Sequence, residues 1–170
     1  HSNRVDHCWF SDRDHRGVTL VVWLKGENVG HHVINRNYFG NRAEGNDNGF
    51  ETIRFGTSET SQKKANCLVI QHLFEKCDGE IEIVSNKSYH NQYVGNTFLN
   101  CKGALTLRHG GDCLVANNLF LGTGNRASAG LRVFGSGYGV TGNHFKILEN
   151  RKKGAISISA SEKNAQANGY

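Results

Sequence analysis

Two carboxylates stand two residues apart in Glu80-Ile81-Glu82-Ile83, an alternating run whose even positions share one face of a strand. Like charges side by side on a face repel, and one neighbouring arginine, Arg54, offsets only part of that repulsion. A divalent cation removes the conflict. Hard oxygen ligands at this spacing suit calcium, and Asn48, in the loop before the preceding strand, adds a neutral carbonyl oxygen. A plain surface ladder of arginine and glutamate explains the same residues without a metal. Just past the run comes Lys87, either a proton acceptor or a solvated charge at a strand end. Asn86-Lys87-Ser88 also matches a glycosylation sequon. A second run, Ala104-Leu105-Thr106-Leu107, leads into Arg108 and His109. Arg108 and Arg132 are of the type that grips carboxylates with a planar fork, while His109, Tyr89 and His90 are further proton-transfer candidates.

Short alternating runs need a scaffold that lines them up, and the sequence repeats. Asn or His, one variable residue, then Phe recurs at Asn37-Tyr38-Phe39, His72-Leu73-Phe74, Asn96-Thr97-Phe98, Asn118-Leu119-Phe120 and Asn143-His144-Phe145. A second series of apolar anchors, Ile53, Ile81, Leu105, Leu131 and Ile156, follows half a turn later with nearly the same period. Two series in step imply stacked supersecondary units, and the segments between turn clusters are too short for amphipathic helices. The pattern predicts an all-β, right-handed parallel β-helix, one domain over 1–170. A leucine-rich repeat would need denser leucine and a helix.

With the apolar anchors as register, Thr52, Glu80, Ala104, Gly130 and Ala155 are expected in one outward ladder. Arg54, Glu82, Thr106, Arg132 and Ser157 are expected in the next, with Arg108 two residues beyond Thr106. Wider gaps at 40–49 and 56–66 read as loops inserted on one face, beside a binding groove. Cys77 and Cys101 should stack on adjacent coils, near enough to bridge if the side chains agree, whereas Cys67 and Cys113 lie two coils apart. The plain reading makes all five cysteines small buried apolar residues.

Twenty-one glycines in 170 residues, with no proline or methionine, agree with many strands and tight turns. The net charge of +5 favours a polyanionic partner. Its Lys and Arg are scattered apart from Lys63-Lys64 and Arg151-Lys152-Lys153, and no nucleic-acid-binding signature or zinc spacing is visible, so an acidic polysaccharide outranks nucleic acid. No membrane-spanning segment or signal is expected, and the first residues already read as repeat material, as in a fragment or processed chain.

Four motifs then occur in order: Asn48-Gly49-Phe50-Glu51-Thr52-Ile53-Arg54-Phe55-Gly56; Cys77-Asp78-Gly79-Glu80-Ile81-Glu82-Ile83 with Ser85-Asn86-Lys87-Ser88; Thr106-Leu107-Arg108-His109-Gly110; and Gly130-Leu131-Arg132-Val133. Together, between about Asn35 and Phe145, they resemble polysaccharide lyase family 6, the alginate lyases and the dermatan-cleaving chondroitinase B group. The resemblance implies calcium-assisted β-elimination, with Asn48, Glu80 and Glu82 as calcium ligands, Lys87 as base and Arg108 as acid. Arg132 would hold a substrate carboxylate, with His109, Arg54 and Tyr89 also on the substrate. Because arginine holds its proton so tightly, stabilising the leaving oxygen describes Arg108 better than acid catalysis. Alginate is the expected substrate, dermatan sulfate the runner-up, and a non-catalytic module binding acidic glycan the rival of another class. The family implies a secreted or periplasmic protein. Its members are longer, so an N-terminal cap and early coils are expected to be missing here.

Overall fold

The computed structural model describes residues 2–26, 30–123, 128–147 and 154–159. The basic run Arg151-Lys152-Lys153 lies outside them. Among the described residues eighteen strands wind into six coils, and each coil gives one strand to each of three parallel sheets. Sheet A holds β1 (Arg4–Asp6), β4 (Val33–Asn35), β7 (Leu68–Ile70), β10 (Gln92–Val94), β13 (Leu114–Ala116) and β16 (Gly139–Thr141). Sheet B holds β2 (Trp9–Ser11), β5 (Tyr38–Arg42), β8 (Leu73–Cys77), β11 (Thr97–Leu99), β14 (Leu119–Gly122) and β17 (His144–Ile147). Sheet C holds β3 (Leu20–Val22), β6 (Ile53–Phe55), β9 (Glu82–Lys87), β12 (Ala104–His109), β15 (Leu131–Phe134) and β18 (Ile156–Ser159). This is the parallel β-solenoid expected from the period.

The repeated phenylalanine is the inward residue of sheet B. Phe39, Phe74, Phe98, Phe120 and Phe145 stack in sequence with centroids 4.6–5.1 Å apart and planes within 10°, and Phe10 of the first coil extends the column. Coil spacing near 4.8 Å sets that separation, and such pairs contribute roughly 0.5–1.5 kcal/mol each beyond the area they bury.

The residue two before each phenylalanine turns the A–B corner and forms a ladder of its own. The backbone N–H of Asn37 donates to His72 Nδ1, that of His72 to Asn96 Oδ1, that of Asn96 to Asn118 Oδ1 and that of Asn118 to Asn143 Oδ1, all at 2.8–3.0 Å. In return, side-chain N–H groups of Asn37, His72, Asn96, Asn118 and Asn143 donate to Val5, Ile34, Val69, Tyr93 and Val115 carbonyls. His72 replaces an asparagine by using one ring nitrogen as acceptor and the other as donor, which makes it the Nε2–H tautomer. Burial pulls its pKa down to about 4, so the neutral ring the ladder needs is the one present.

Sheet C departs from the expected register at one coil. Its inward column runs Leu20, Ile53, Val84, Leu105, Leu131 and Ile156, so Val84 takes the place assigned to Ile81, which is 45% exposed. The cause is an irregularity in the β9–β12 pairing: Glu82 pairs with Ala104 while Val84 pairs with Leu105, leaving Ile83 as an extra buried residue. One inserted residue exchanges the inward and outward positions that follow it. The outward row is therefore Val21, Arg54, Ser85, Thr106, Arg132 and Ser157, with Ser85 where Glu82 was expected. Glu80 precedes the strand and does not pair in the other row. Ile156 keeps its register but is 41% exposed in the last described coil.

The two long loops also differ in placement. Residues 43–52 lie between sheets B and C and residues 56–67 between C and A, so they flank sheet C on both sides rather than lying together on one face. All five cysteines are free thiols; the Cys77 backbone N–H points at Cys101 Sγ at 3.4 Å, and only Cys8 is exposed.

Candidate active site

The outer face of sheet C gathers most of the proposed chemistry. Glu82 opens β9 and is almost fully buried. Its Oε1 lies 3.2 Å from Arg108 Nη1, one coil on, and 3.7 Å from Arg132 Nη1, two coils on. Ser85 and Thr106, outward residues of β9 and β12, are wholly buried, which on an outer face means longer side chains cover them. Neither hydroxyl has a hydrogen-bond partner. Burial draws Arg132 below its usual pKa, against the pull of Glu82, and Arg108 adds to the lowering.

Glu80 turns to the loop before β6. The backbone N–H groups of Gly49 and Phe50 donate to its Oε1 at 3.2 and 3.0 Å. Burial first, and then the Glu51 carboxylate, push Glu80 up to about 7. Glu51 is a functional candidate that sequence reasoning missed. It is 5% exposed, its Oε2 has no hydrogen-bond partner, and its Oε1 lies 3.8 Å from Arg54 Nη1. The available signal was its place inside the Asn48–Gly56 motif, a carboxylate at a loop-to-strand junction. Asn48 is exposed and lines a cleft of about 410 Å³ with Glu80, Glu44, Asp47, Asp78 and Lys102.

The donor chemistry fits calcium on one count and leaves it unmade on another. Two carboxylates lie close enough for one to raise the other's pKa, one of them with a buried bare oxygen, and a neutral amide stands nearby: hard oxygens short of positive charge. Yet Glu80 engages backbone N–H groups and Glu82 engages arginines. Among the described residues no three Asp, Glu, His or Cys side chains converge as a metal cage.

Lys87 ends β9 and is half-buried, paired along the backbone with His109 rather than Arg108 because the β9–β12 register shifts again between Leu107 and His109. Its strand end is held by a buried network. The Asn86 amide donates to the Ser88 and His109 carbonyls, and the Asn91 amide and Tyr93 hydroxyl donate to Asn86 Oδ1. Asn86 is fully buried, so the sequon it opens is closed to glycosylation in the folded chain.

His109 is 4% exposed and shares a 3.2 Å hydrogen bond between Nε2 and Ser58 Oγ. Ser58 belongs to a 3₁₀ turn, Ser58–Thr60, in the loop that crosses from the second coil over the third. That crossing requires Gly56, whose φ is +68° and whose Cβ, were there one, would meet the Lys87 carbonyl at 2.9 Å. Burial, then the Arg108 and Lys87 charges, lower His109 to about 4, so it faces them as a neutral ring. Tyr89 lies further round, on the C–A corner against Gly111, and His90 is 3.7 Å from Asp112. Glu82, Lys87, Arg108, His109 and Arg132 thus share one region, Glu51, Arg54, Glu80 and Asn48 adjoin it, and Tyr89 stands at its edge.

The family model for chondroitinase B matches residues 1–170. Among solved structures, the chain is similar to a mannuronic acid specific polysaccharide family 6 lyase from human gut microbiota, with 34% identity and a TM-score of 0.88 over 98% of this chain. It is also similar to the family 6 alginate lyase AlyGC, with 34% identity and a TM-score of 0.80 over 98% of this chain. A family 6 alginate lyase in complex with a trisaccharide matches 83% of the chain at 27% identity and a TM-score of 0.73. The chain spans 38%, 23% and 32% of the lengths of these three proteins. No curated protein matches it.

Proposed function

The chain belongs to the chondroitinase B family of polysaccharide lyases, and on that premise we propose that it carries the catalytic face of a calcium-dependent alginate lyase acting by β-elimination. The observation that supports this best is Glu82 set between Arg108 and Arg132 on the strand that ends in Lys87. A lysine, two arginines and a neutral histidine line one surface, which suits a chain of uronates.

In the reaction, the Lys87 amine takes the C5 proton of a uronate. The electron pair left on C5 forms the C4–C5 double bond as the C4–O4 bond breaks; O4 leaves as an oxyanion that takes a proton from solvent, and Lys87 returns the C5 proton to solvent. Arg108 stabilises the charge growing on O4, and Arg132 pairs with a uronate carboxylate. His109, neutral and anchored by Ser58, borders both groups. Asn48, Glu51, Glu80 and Glu82 are the residues that would hold calcium. When bound, the ion supplies the positive charge that neutralises the uronate carboxylate and so makes the C5 proton more acidic. The product is an unsaturated uronate at the new non-reducing end. Work on a polymer outside the cell places the protein, in this reading, in the secreted or periplasmic fraction.

The test is ultraviolet absorbance of the unsaturated product, with alginate, polymannuronate, polyguluronate and dermatan sulfate as substrates, with and without chelator. Chelator-sensitive product from a uronan supports the proposal. Turnover of dermatan sulfate alone would replace alginate as substrate, and binding without product from any of them would leave a glycan-binding module.

A further inference from the structure

Trp23 stands at one end of this face, and none of the chemistry above uses it. It follows β3, whose Val22 pairs with Phe55 of the second coil; Phe55 in turn pairs with Asn86, the residue before Lys87. Trp23 thus comes one residue past the end of its paired strand, and Lys87 one residue past Asn86 two coils on, a separation of about 10 Å by the usual spacing of strands. Between them comes Gly56, buried where the crossing loop departs: a Cβ there would meet Thr60 Oγ1 at 2.7 Å, so the turn Ser58–Thr60 borders the path from Trp23 to Lys87.

The indole is 56% exposed, although burying it would remove one of the largest apolar areas in the chain from water. Two cations flank it. The Arg54 guanidinium lies 5.4 Å from the ring centroid and Lys25 Nζ 5.5 Å. Arg54 is itself held at one side by Glu51, 3.8 Å away, while its buried Nε has no partner. Across the site Arg132 lies over the Phe134 ring at 5.1 Å, but Phe134 is largely covered. Of these two ring–cation contacts among the described residues, the Trp23 end is the one that combines a broad exposed ring with positive charge.

We infer that Trp23, with Arg54 and Lys25, forms a subsite for one uronate residue of the substrate chain, remote from the bond that breaks. A pyranose presents a face of C–H groups that packs against an aromatic ring, and a uronate adds a carboxylate that Arg54 and Lys25 receive. An uncharged sugar would use the ring without the cations, and a small anion the cations without the ring. The pairing of both selects an acidic sugar. The distance to Lys87 is one that a short oligosaccharide spans, so the subsite adds binding energy to longer substrates and discriminates by chain length. This rests on the acidic-polysaccharide reading of the site.

The test uses an alginate-derived oligouronate series and the two tryptophans of the chain, Trp9 and Trp23. Trp9 stacks on Tyr38 at 3.8 Å on the outside of sheet B, away from the groove, so Trp9→Phe isolates Trp23 fluorescence without altering turnover. In that background a longer oligouronate should change Trp23 emission saturably. Trp23→Ala should raise KM for the longer oligouronate by roughly ten-fold, more than for a trimer, and Trp23→Phe should recover part of the loss. Unchanged emission at saturating oligouronate, or a Trp23→Ala effect independent of substrate length, overturns the subsite while leaving the lyase reading intact. An emission change with no unsaturated product keeps the subsite and removes the lyase, and silence in both assays removes both.

Discussion

Glu82 Oε1 meets Arg108 Nη1 at 3.2 Å across the gap between the third and fourth coils, and that contact holds the guanidinium on the strand that ends in Lys87. Glu82 is buried and Arg108 only partly so, which makes the glutamate the fixed member and the arginine the one that adjusts. Arg108→Lys keeps the charge and loses the planar fork. We expect its turnover to fall by roughly 10²-fold or more, as for loss of one donor to a developing oxyanion, with the far-ultraviolet circular dichroism unchanged. Near-parent turnover would show that Arg108 serves only to pair with Glu82.

Lys87→Ala removes the proposed base without touching the Asn86 network beneath it. Turnover should fall on the order of 10²–10⁴-fold, while calorimetry still detects oligouronate binding. A variant that still releases unsaturated product at the parent rate would move the base elsewhere, with His109 and then Tyr89 next in line.

Glu80 gives a pH signature with a definite sign. Its folded pKa is raised from 4.5 to about 7 by burial and by Glu51, so between those values the folded protein binds more protons than the unfolded chain. Stability from this group is present below pH 4.5 and lost as pH rises through 7. The Tm of calcium-free protein should carry a component that declines over that window and is absent in Glu80→Gln. Calcium added above pH 7 should raise Tm in the parent more than in Glu80→Gln, since the ion binds the ionised pair. Equal calcium shifts in the two proteins would exclude Glu80 as a ligand.

His72 has the opposite sign. Burial depresses its pKa from 6.5 to about 4, so its contribution is present above 6.5 and lost as pH falls through 4, where the charged ring can no longer accept from the Asn37 N–H. His72→Asn restores the residue used on other coils and should flatten the acid limb of Tm against pH. His72→Leu keeps the bulk, leaves the Asn37 N–H and the Ile34 carbonyl unpaired, and should destabilise by about 1–3 kcal/mol in chemical denaturation.

The solenoid was legible in the sequence because its two rules are local. Each coil must place an aromatic in the same inward slot and an amide at the same corner, and Asn96-Thr97-Phe98 states both in three residues. The positions of Lys87, Arg108 and Arg132 on successive strands of sheet C were legible for the same reason, since each follows or interrupts a short alternating run. The register of sheet C was not. Ile81 and Val84 are both apolar and both compatible with alternation, and the choice between them depends on an irregularity that forms only when β9 meets β12. That choice moved Glu82 out of the Arg54 row and against Arg108. The surroundings of Glu51, Ser58 and Trp23 were equally hidden, because each comes from a contact set by neighbouring coils 29 to 51 residues away in the chain. Periodicity along one chain determines which residues face in; stacking of one coil on the next decides which charges meet.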